Sequence, residues 1–290
     1  MSDGRFPPTL GRLPLHRRND AIARLNRFGA EGRPFVFLVD YTAEQAVVEP
    51  LDALSPDELA YDFGGVTNVP SPGWPTAVGH PRVGVAQPAT LTPHLPAFSD
   101  YARAFALVQG GLLRGDSFLT NLTQRVPIET PLTLADIFAR ARARYRLFVP
   151  DRWVCFSPEP FVRIADGHIR TFLMKGTLPD GEGAEAHLLS DAKEAAEHAT
   201  VVDLLRNDLS RVAEDVRVAR YRYVERIETH RGALLQTSSE IVGPLPADYP
   251  AHLGDLLFRL LPAGSITGAP KQRTMEIIHE AEGYDREFYT

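Results

Sequence analysis

The segment Met174-Lys175-Gly176-Thr177 places a lysine where it can act on a ligand. It follows an apolar run that we expect to form a strand, so the Lys175 amine can point into a cleft while Gly176 lets a ligand approach the backbone. A lysine buried in this way becomes a nucleophile or a base. The alternative is an ordinary surface lysine in a turn, and this short segment alone does not separate the two.

Two carboxylates, Glu194 and Glu197, are three residues apart in a segment with helical periodicity. Side chains at this spacing share one face of a helix. Two carboxylates on one face can bind Mg²⁺, a hard cation that takes oxygen ligands and usually keeps several waters. The alternative is a solvated helix face, since Asp191 and Lys193 are close by, and the spacing alone leaves both interpretations open.

A glycine-rich segment, Gly264-Ser265-Ile266-Thr267-Gly268-Ala269-Pro270-Lys271, precedes the last helical pattern. Its glycines free the backbone and Pro270 suits the first turn of a helix. The open N–H groups and the positive end of the helix dipole therefore predict a site for a carboxylate or a phosphate. A plain loop leading into a helix is the competing interpretation. The spacing of the glycines excludes the phosphate-cradling P-loop motif.

One further carboxylate, Glu159 in Ser157-Pro158-Glu159, follows an apolar run that ends at Phe156. A carboxyl group placed at the end of a strand can act as a general acid or a general base. The competing interpretation is an ordinary turn residue, and the tripeptide does not decide between the two.

The elements that position these residues are helices and strands in mixed order. Phe35–Val39 has the length and the aromatic and β-branched content of a buried strand. Asp166-Gly167 between two apolar runs predicts a β-hairpin, because this pair adopts positive φ angles readily. Separate helices and hairpin strands together indicate an α+β fold. We also predict strands over 117–128, 216–223 and 236–242, and helices over 99–115, 134–141, 190–212 and 271–282, with a further segment over 255–261 of unassigned type.

Composition limits the class of protein. The 290 residues are 44% hydrophobic, which is enough for a large core, and the formal net charge of −6 gives no basic footprint for nucleic acid. The longest apolar run is about five residues, far below the ~20 that cross a bilayer. We expect no targeting segment. The single cysteine, Cys155, excludes an internal disulfide and fits a reducing cytoplasm.

The first part of the chain differs in character from the rest. Residues 1–97 are rich in Pro and Gly, above all between Val69 and Pro96, and they contain no candidate chemistry. We therefore predict a reduced N-terminal region over residues 1–97 and a catalytic domain over residues 98–290.

The order of the candidate segments is more specific than any one of them. Ser157-Pro158-Glu159 is followed by Lys175-Gly176-Thr177, by Glu197 with the string Asp203-Leu204-Leu205-Arg206-Asn207-Asp208-Leu209, and by the glycine-rich segment that starts at Gly264. This order resembles the chorismate-utilising enzymes: anthranilate, aminodeoxychorismate, isochorismate and salicylate synthases. The resemblance covers about residues 98–290 and implies an α+β chorismate-binding fold with antiparallel sheets and flanking helices.

The resemblance implies a reaction as well as a fold. The residue before Gly176 is a lysine in aminodeoxychorismate synthase component I and a small residue in anthranilate synthase component I, so Lys175 points to the former. Lys175 would act as a covalent nucleophile and Glu159 as the general acid and base. Glu197, with Glu194, would bind Mg²⁺. Ammonia from a glutaminase partner would give 4-amino-4-deoxychorismate for 4-aminobenzoate and folate synthesis.

The resemblance also assigns residues that contact the substrate. Leu119 stands where isochorismate-forming relatives have a water-activating lysine, which argues against that chemistry. Gln236 stands where many relatives have a histidine, so it can hydrogen-bond the substrate but cannot transfer a proton. The substrate-binding residues implied in this way are Asn121, Gly176, Thr177, Gln236, Ser265, Thr267 and Gly268.

The sequence departs from the family pattern at its end. Relatives continue beyond the position of Thr290 with a carboxylate-binding arginine and further Mg²⁺ ligands. An incomplete record, a truncated gene and a shortened relative are the three explanations. The alternative functions are therefore anthranilate synthase component I, which Lys175 disfavours, and an inactive fragment or pseudoenzyme that at most binds a glutaminase.

Overall fold

The computed structural model describes residues 9–70, 90–229 and 232–289, so most of the Pro-rich stretch between Val69 and Pro96 lies outside the described residues. None of the helices in these ranges is both long and apolar enough to cross a membrane. The α-helices are α1 Arg18–Glu31, α2 Phe98–Leu113, α3 Leu134–Arg140, α4 Ala184–Ser190, α5 Ala192–Leu209, α6 Leu253–Leu260, α7 Gly264–Thr267 and α8 Lys271–Glu282, with single 3₁₀ turns at Leu51–Ala53 and Tyr249–His252.

The strands fall into six small antiparallel sheets within the described ranges. They are β1 Thr9–Leu10, β2 Leu13–Pro14, β3 His16–Arg17, β4 Phe35–Val39, β5 Gln45–Pro50, β6 Ala60–Phe63, β7 Val66–Thr67, β8 Thr92–Pro93, β9 Leu119–Thr120, β10 Ile128–Glu129, β11 Tyr145–Val149, β12 Trp153–Phe156, β13 Arg163–Ala165, β14 His168–Pro179, β15 Arg217–Thr229, β16 Gly232–Pro244 and β17 Gly268–Ala269.

Two compact units make up the chain. The first combines Met1–Leu107, Leu122–Pro158 and Ala281–Thr290, and the second combines Val108–Asn121 and Glu159–Glu280. Each unit draws on separated segments, whereas the predicted division places one boundary at residue 97. The division into an N-terminal region over residues 1–97 and a catalytic domain over residues 98–290 therefore stays a prediction.

The first unit contains a three-stranded sheet in the order β3-β5-β4 and a four-stranded sheet in the order β12-β11-β6-β7. Apolar side chains from both sheets, from the β1–β2 pair and from the residue before β6 form one buried core. The members of this core are Leu10, Leu13, Val36, Val47, Leu59, Tyr61, Leu147, Val149 and Trp153.

The second unit is built on a four-stranded sheet in the order β13-β14-β16-β15, in which β14, β15 and β16 are each 12 or 13 residues long. Helix α5 packs on this sheet through an apolar stripe that includes Val202 and Leu205. Asp191 caps the helix, since its carboxylate accepts the N–H of Glu194 at 3.0 Å. This sheet and its helices carry Lys175, Gly176, Thr177, Gln236, Glu194 and Glu197 of the residues that the sequence proposed for the site.

Several local predictions are confirmed. Strand β4 and helix α8 have the predicted bounds, and helices α2, α3 and α5 lie within a few residues of theirs. The hairpin at Asp166-Gly167 joins β13 to β14, and both turn residues have positive φ angles. Strands β15 and β16 are present but extend well beyond the predicted ranges, because each pairs with a long neighbour over most of its length.

The predicted strand over 117–128 is wrong. Only β9 and β10 are strands in this segment. Backbone groups that would pair in a β-ladder are bonded here by side chains instead. Ser117 Oγ bonds the carbonyl oxygens of Leu119 and Ala269. The Glu282 carboxylate accepts the N–H of Thr123 at 2.7 Å. Pro127 has no N–H to donate, so a continuous ladder cannot pass through it.

Candidate active site

Lys175 lies inside a strand and not after one, which corrects the sequence interpretation. Strand β14 continues to Pro179, with Lys175 opposite Thr237 and Thr177 opposite Gln236 on β16. Gly176 is the extra residue between these two pairs, and its φ angle is +68°. A bulge of this kind needs a left-handed residue, which glycine supplies without steric cost.

The bulge assigns the predicted residues to different faces of the sheet. Side chains of directly opposed residues share a face, and consecutive residues on one strand alternate between faces. Lys175 therefore shares a face with Thr237, while Thr177 and Gln236 belong to the opposite face. The structure thus separates Gln236 and Thr177 from the lysine with which the sequence grouped them.

The Lys175 face is the one that helices α4 and α5 cover. Ser239, two residues from Thr237 on β16, has its Oγ 2.7 Å from Nε2 of His198 on α5. A Cβ added to Gly176 would lie 3.2 Å from Oε2 of Glu194 and 3.2 Å from Cδ1 of Leu188 on α4. Gly176 therefore lets the Glu194 carboxylate approach the backbone next to Lys175.

The two glutamates differ in their surroundings. Glu194 is partly buried against the bulge, whereas Glu197 is exposed and lies 3.7 Å from Lys193. In the described residues, no group of three or more His, Cys, Asp or Glu side chains is arranged to hold a metal ion. Two carboxylates on one helix face still fit Mg²⁺, because this ion is commonly held by one or two protein carboxylates, a ligand oxygen and waters.

His198 is a residue of this face that the sequence analysis did not single out. Its side chain is buried at 1% exposure, and Nδ1 has no hydrogen-bond partner among the described residues. Burial, followed by the positive charges of Arg222 and Lys175, lowers the pKa of His198. Its position four residues after Glu194, on the same face of α5, was the available signal in the sequence.

The glycine-rich segment is ordered into regular secondary structure and is not a plain loop. It forms the short helix α7 and strand β17, which pairs with β9. Gly268 has a φ of +122°, and a Cβ there would lie 1.9 Å from the carbonyl oxygen of Leu119, so only glycine fits. Thr267 is fully buried, and its hydroxyl donates to the Ala263 carbonyl at 3.1 Å. The Thr267 side chain is thus engaged within the segment.

An ion pair anchors this segment to the end of α5. Asp208 lies 2.8 Å from Lys271 Nζ and also accepts the N–H of Gly264 at 3.2 Å. Burial lowers the pKa of Lys271, and the Asp208 carboxylate acts in the opposite direction. Asp208 therefore holds the glycine-rich segment against the end of α5. The sequence string Asp203–Leu209 did not reveal this structural role.

Asn121 and Ser265 accompany this segment. The N–H of Asn121 donates to the Thr267 carbonyl at 3.4 Å, and the residue is exposed, while Ser265 is partly buried in α7. The structure therefore brings together Asn121, Ser265, Thr267 and Gly268.

The two groups of predicted residues are anchored at opposite ends of helix α5. Glu194 is in the first turn of this 18-residue helix and Asp208 is in its last turn. At ~1.5 Å per residue, about 20 Å of helix axis separates them. Glu159 belongs to neither group, since it is an exposed residue in the segment between β12 and β13.

A cavity of about 750 Å³ opens on the Lys175 face of the sheet. Val224, in its wall, is opposite Thr237 on β16, so the cavity begins one strand away from the Lys175–Thr237 pair. This volume is typical of small-molecule sites. The residues around it are Asp180, Gly181, Gly183, Glu185, Ala186, Leu189, Val224, Arg226 and Leu235.

Comparison with known proteins defines the class. Residues 81–290 match the family model described as chorismate binding enzyme. An uncharacterised PabA-like protein of Haemophilus influenzae is 44% identical over 273 residues, which is 93% of this chain and 79% of the relative. Aminodeoxychorismate synthase component 1 of Salmonella typhimurium is 36% identical over 198 residues, which is 63% of this chain and 42% of that protein.

A solved structure agrees with the sequence relatives. The crystal structure of anthranilate synthase component I from Streptococcus pneumoniae superimposes with a TM-score of 0.54 at 27% identity, covering 70% of this chain and 46% of that one. The molecule is therefore an α+β protein with the chorismate-binding fold, as the sequence predicted. The chain belongs to the chorismate binding enzyme family, and the resemblance drawn from the order of its motifs is confirmed.

Proposed function

We propose that this chain converts chorismate and ammonia to 4-amino-4-deoxychorismate, the precursor of 4-aminobenzoate in folate synthesis. The observation that carries the proposal is the placement of Lys175. Its side chain is exposed beside the Gly176 bulge, and its amine forms no ion pair or hydrogen bond with another described residue. An amine without a partner, on the same sheet face as a cavity of small-molecule size that begins one strand away, is available to react with a ligand.

The proposed reaction has two balanced steps. The Lys175 amine forms a bond to C2 of chorismate, the two ring double bonds shift to C1=C6 and C4=C5, and the C4–O bond breaks as the departing hydroxyl gains a proton and leaves as water. Ammonia then forms a bond to C4, both double bonds shift back, and the C2–N bond to Lys175 breaks. Splitting one substitution into two steps through a covalent intermediate lowers each barrier.

Proton transfers accompany both steps. Glu159 is proposed to donate the proton to the departing C4 hydroxyl and to accept one from the incoming ammonia, as a general acid and base. Its exposed position between β12 and β13 leaves its carboxyl group accessible to a ligand. Gln236 and Thr177 belong to the face opposite Lys175, so this proposal gives them no part in proton transfer.

Glu194 and Glu197 are proposed to hold Mg²⁺. When bound, this ion supplies positive charge that neutralises a substrate carboxylate. Glu194 lies against the Gly176 bulge, so a ligand held by its carboxylate would be close to the Lys175 strand. Glu197 is exposed on the next turn of the same helix, and its carboxylate would exchange its surface contact with Lys193 to contribute a second oxygen.

A glutamine amidotransferase is the proposed source of ammonia. The name of the Salmonella relative, component 1 of an aminodeoxychorismate synthase, supports a function within an assembly of more than one component. Free ammonium ions would replace this partner in an assay of the isolated chain.

Anthranilate synthesis is the second candidate, because the superimposed structure from Streptococcus is an anthranilate synthase component I. Both candidates start from chorismate and ammonia, so the product distinguishes them. Lys175 favours aminodeoxychorismate, since a covalent route through C2 needs an amine at this position.

Product analysis tests the proposal directly. The chain would be incubated with chorismate, Mg²⁺ and excess ammonium, and products would be separated chromatographically with and without a lyase that releases 4-aminobenzoate. We expect 4-amino-4-deoxychorismate from the wild-type chain, and a sharp loss of turnover or a shift to anthranilate from Lys175→Ala. Anthranilate as the wild-type product, no product at all, or an unchanged product in Lys175→Ala would each contradict the assignment.

A further inference from the structure

Arg222 occupies a position that the sheet fixes firmly. It lies in the irregular stretch of β15 between the pairs Arg220–Glu240 and Tyr223–Ser238, and its φ angle is +45°. A non-glycine residue adopts this conformation only where surrounding contacts hold it. One such contact is present here, because the Arg222 N–H donates to Oγ of Ser239 at 2.9 Å.

The guanidinium group of Arg222 has unused donors. Its Nη2 donates to the Leu188 carbonyl at 3.3 Å, while Nε is buried without a hydrogen-bond partner among the described residues. No carboxylate of the described chain forms an ion pair with it. A guanidinium carries five N–H donors and the contact with Leu188 uses one of them, so the group retains donors for a further acceptor.

The same group lies on the Lys175 face of the sheet. Leu188, which accepts the Arg222 hydrogen bond, is also the residue whose side chain lies against Gly176. Ser239, which accepts the Arg222 N–H, contacts His198. Two cations, Arg222 and Lys175, therefore converge on a face whose buried histidine has an Nδ1 atom without a partner.

Glu194 contacts Gly176 on this face, and it is not ion-paired with either cation. Arg222 and Lys175 are cations of this face without an ion-pair partner among the described residues, whereas Asp180 in the cavity wall is already paired with Arg226, so the two cations can attract an anion. A planar guanidinium matches the geometry of a carboxylate and can donate two parallel hydrogen bonds to it.

We propose that Arg222 binds a carboxylate group of the substrate on the Lys175 face of the sheet. The ligand class is a ring compound bearing a carboxylate, and this inference rests on the proposed function because Lys175 must face the same ligand. Arg222 is a binding residue in this proposal and takes no part in the bond changes.

Direct binding measurements test the inference independently of turnover. Titration calorimetry would compare chorismate with two simple probes, benzoate and its uncharged analogue benzamide. For the wild-type chain we expect benzoate to bind more tightly than benzamide. In Arg222→Gln, chorismate and benzoate affinity should fall by about tenfold to a hundredfold, the effect of losing charge-assisted hydrogen bonds, while benzamide affinity stays the same.

Two further variants complete the test. Arg220→Gln removes the same charge from an exposed position on the same strand and should leave all three affinities unchanged. Arg222→Lys keeps the charge as a point ammonium and should retain part of the preference for benzoate over benzamide. If Arg222→Gln does not fold, as judged by circular dichroism, the Arg222→Lys titrations decide the question.

The outcomes separate this inference from the proposed function. Chorismate binding that is equally tight in wild type and both Arg222 variants would overturn the carboxylate site while leaving the reaction intact. Arg222-dependent binding without any 4-amino-4-deoxychorismate would overturn the reaction and keep the site. Equal binding of benzoate and benzamide to the wild-type chain would also count against the carboxylate site.

Discussion

Gly176 and Glu194 are in close contact: a Cβ on the glycine would lie 3.2 Å from Oε2 of the glutamate. The glycine also has a φ of +68° at the bulge next to Lys175. One residue therefore fulfils two requirements, a left-handed backbone and an approach that no side chain would allow. This relationship places the first carboxylate of α5 beside the strand that carries the proposed nucleophile.

Gly176→Ala is expected to destabilise the protein through both requirements. The left-handed φ costs about 1–3 kcal/mol for a residue with a side chain, and crowding against Glu194 and Leu188 adds about 1 kcal/mol. Gly167→Ala is a matched control, because Gly167 has the same φ of +68° and nothing within 4 Å of its added Cβ. Urea unfolding of both variants measures the difference. An equal loss of stability in the two would exclude crowding at Gly176.

Glu197→Gln is expected to raise the Mg²⁺ concentration needed for half-maximal turnover by about tenfold, since a neutral amide is a weaker ligand than a carboxylate. The measurement is a Mg²⁺ titration of the chorismate reaction. Glu280→Gln, at an exposed glutamate on α8 away from the cavity, serves as the control for the loss of one negative charge. An identical titration curve for wild type and Glu197→Gln would remove Glu197 from the proposed metal site.

Asp208→Asn is expected to lower the free energy of unfolding by about 3 kcal/mol, because removing one partner of a buried ion pair leaves the other charge uncompensated. The aspartate and Lys271 are 10% and 19% exposed, and the same carboxylate holds the N–H of Gly264. Asp203→Asn removes an 80% exposed carboxylate from the same helix and should cost less than about 0.5 kcal/mol. Equal urea midpoints for the two variants would show that the buried pair has no special weight.

Glu282→Gln tests a second buried pair, in the first unit. Its carboxylate lies 2.6 Å from Arg286, with both side chains at 1–2% exposure, and it also accepts the N–H and the hydroxyl of Thr123. We expect a loss of about 3–5 kcal/mol in the free energy of unfolding. Glu276→Gln, from an exposed pair with Arg273, is the control and should be nearly neutral. Thermal unfolding that is unaffected by Glu282→Gln would argue against the predicted cost.

The dependence of stability on acid pH tests a third ion pair, the one between Asp62 and Arg146. A hydrogen bond from Arg146, followed by one from the N–H of Gly65, holds the pKa of Asp62 below its usual value. A carboxyl group with a depressed folded-state pKa stabilises the protein fully above the unfolded pKa near 4, and this contribution is lost as the pH falls through the lower folded value.

The stability difference between wild type and Asp62→Asn should therefore shrink as the pH is lowered from about 6 towards 3. Urea unfolding at a series of pH values measures this difference. A difference that stays constant over the whole range would show that Asp62 has the same pKa in the folded and unfolded chains.

Local features of this protein follow from the sequence because they depend on neighbours along the chain. The turn at Asp166-Gly167 needs only two residues that accept positive φ, and helix α8 needs only a periodic apolar face. The family follows from the order of its motifs, since long strings such as Asp203–Leu209 are specific without knowledge of their contacts.

Pairing between distant segments decided the rest. The position of Lys175 within a strand, and its separation from Gln236, depend on which residues of β14 and β16 are opposite each other around the Gly176 bulge. One extra residue in a strand moves every following side chain to the other face. The contacts of Arg222 and His198 likewise join β15, α4, α5 and β16. Register is a property of two strands together, so the tertiary structure alone determined which side chains meet on the Lys175 face.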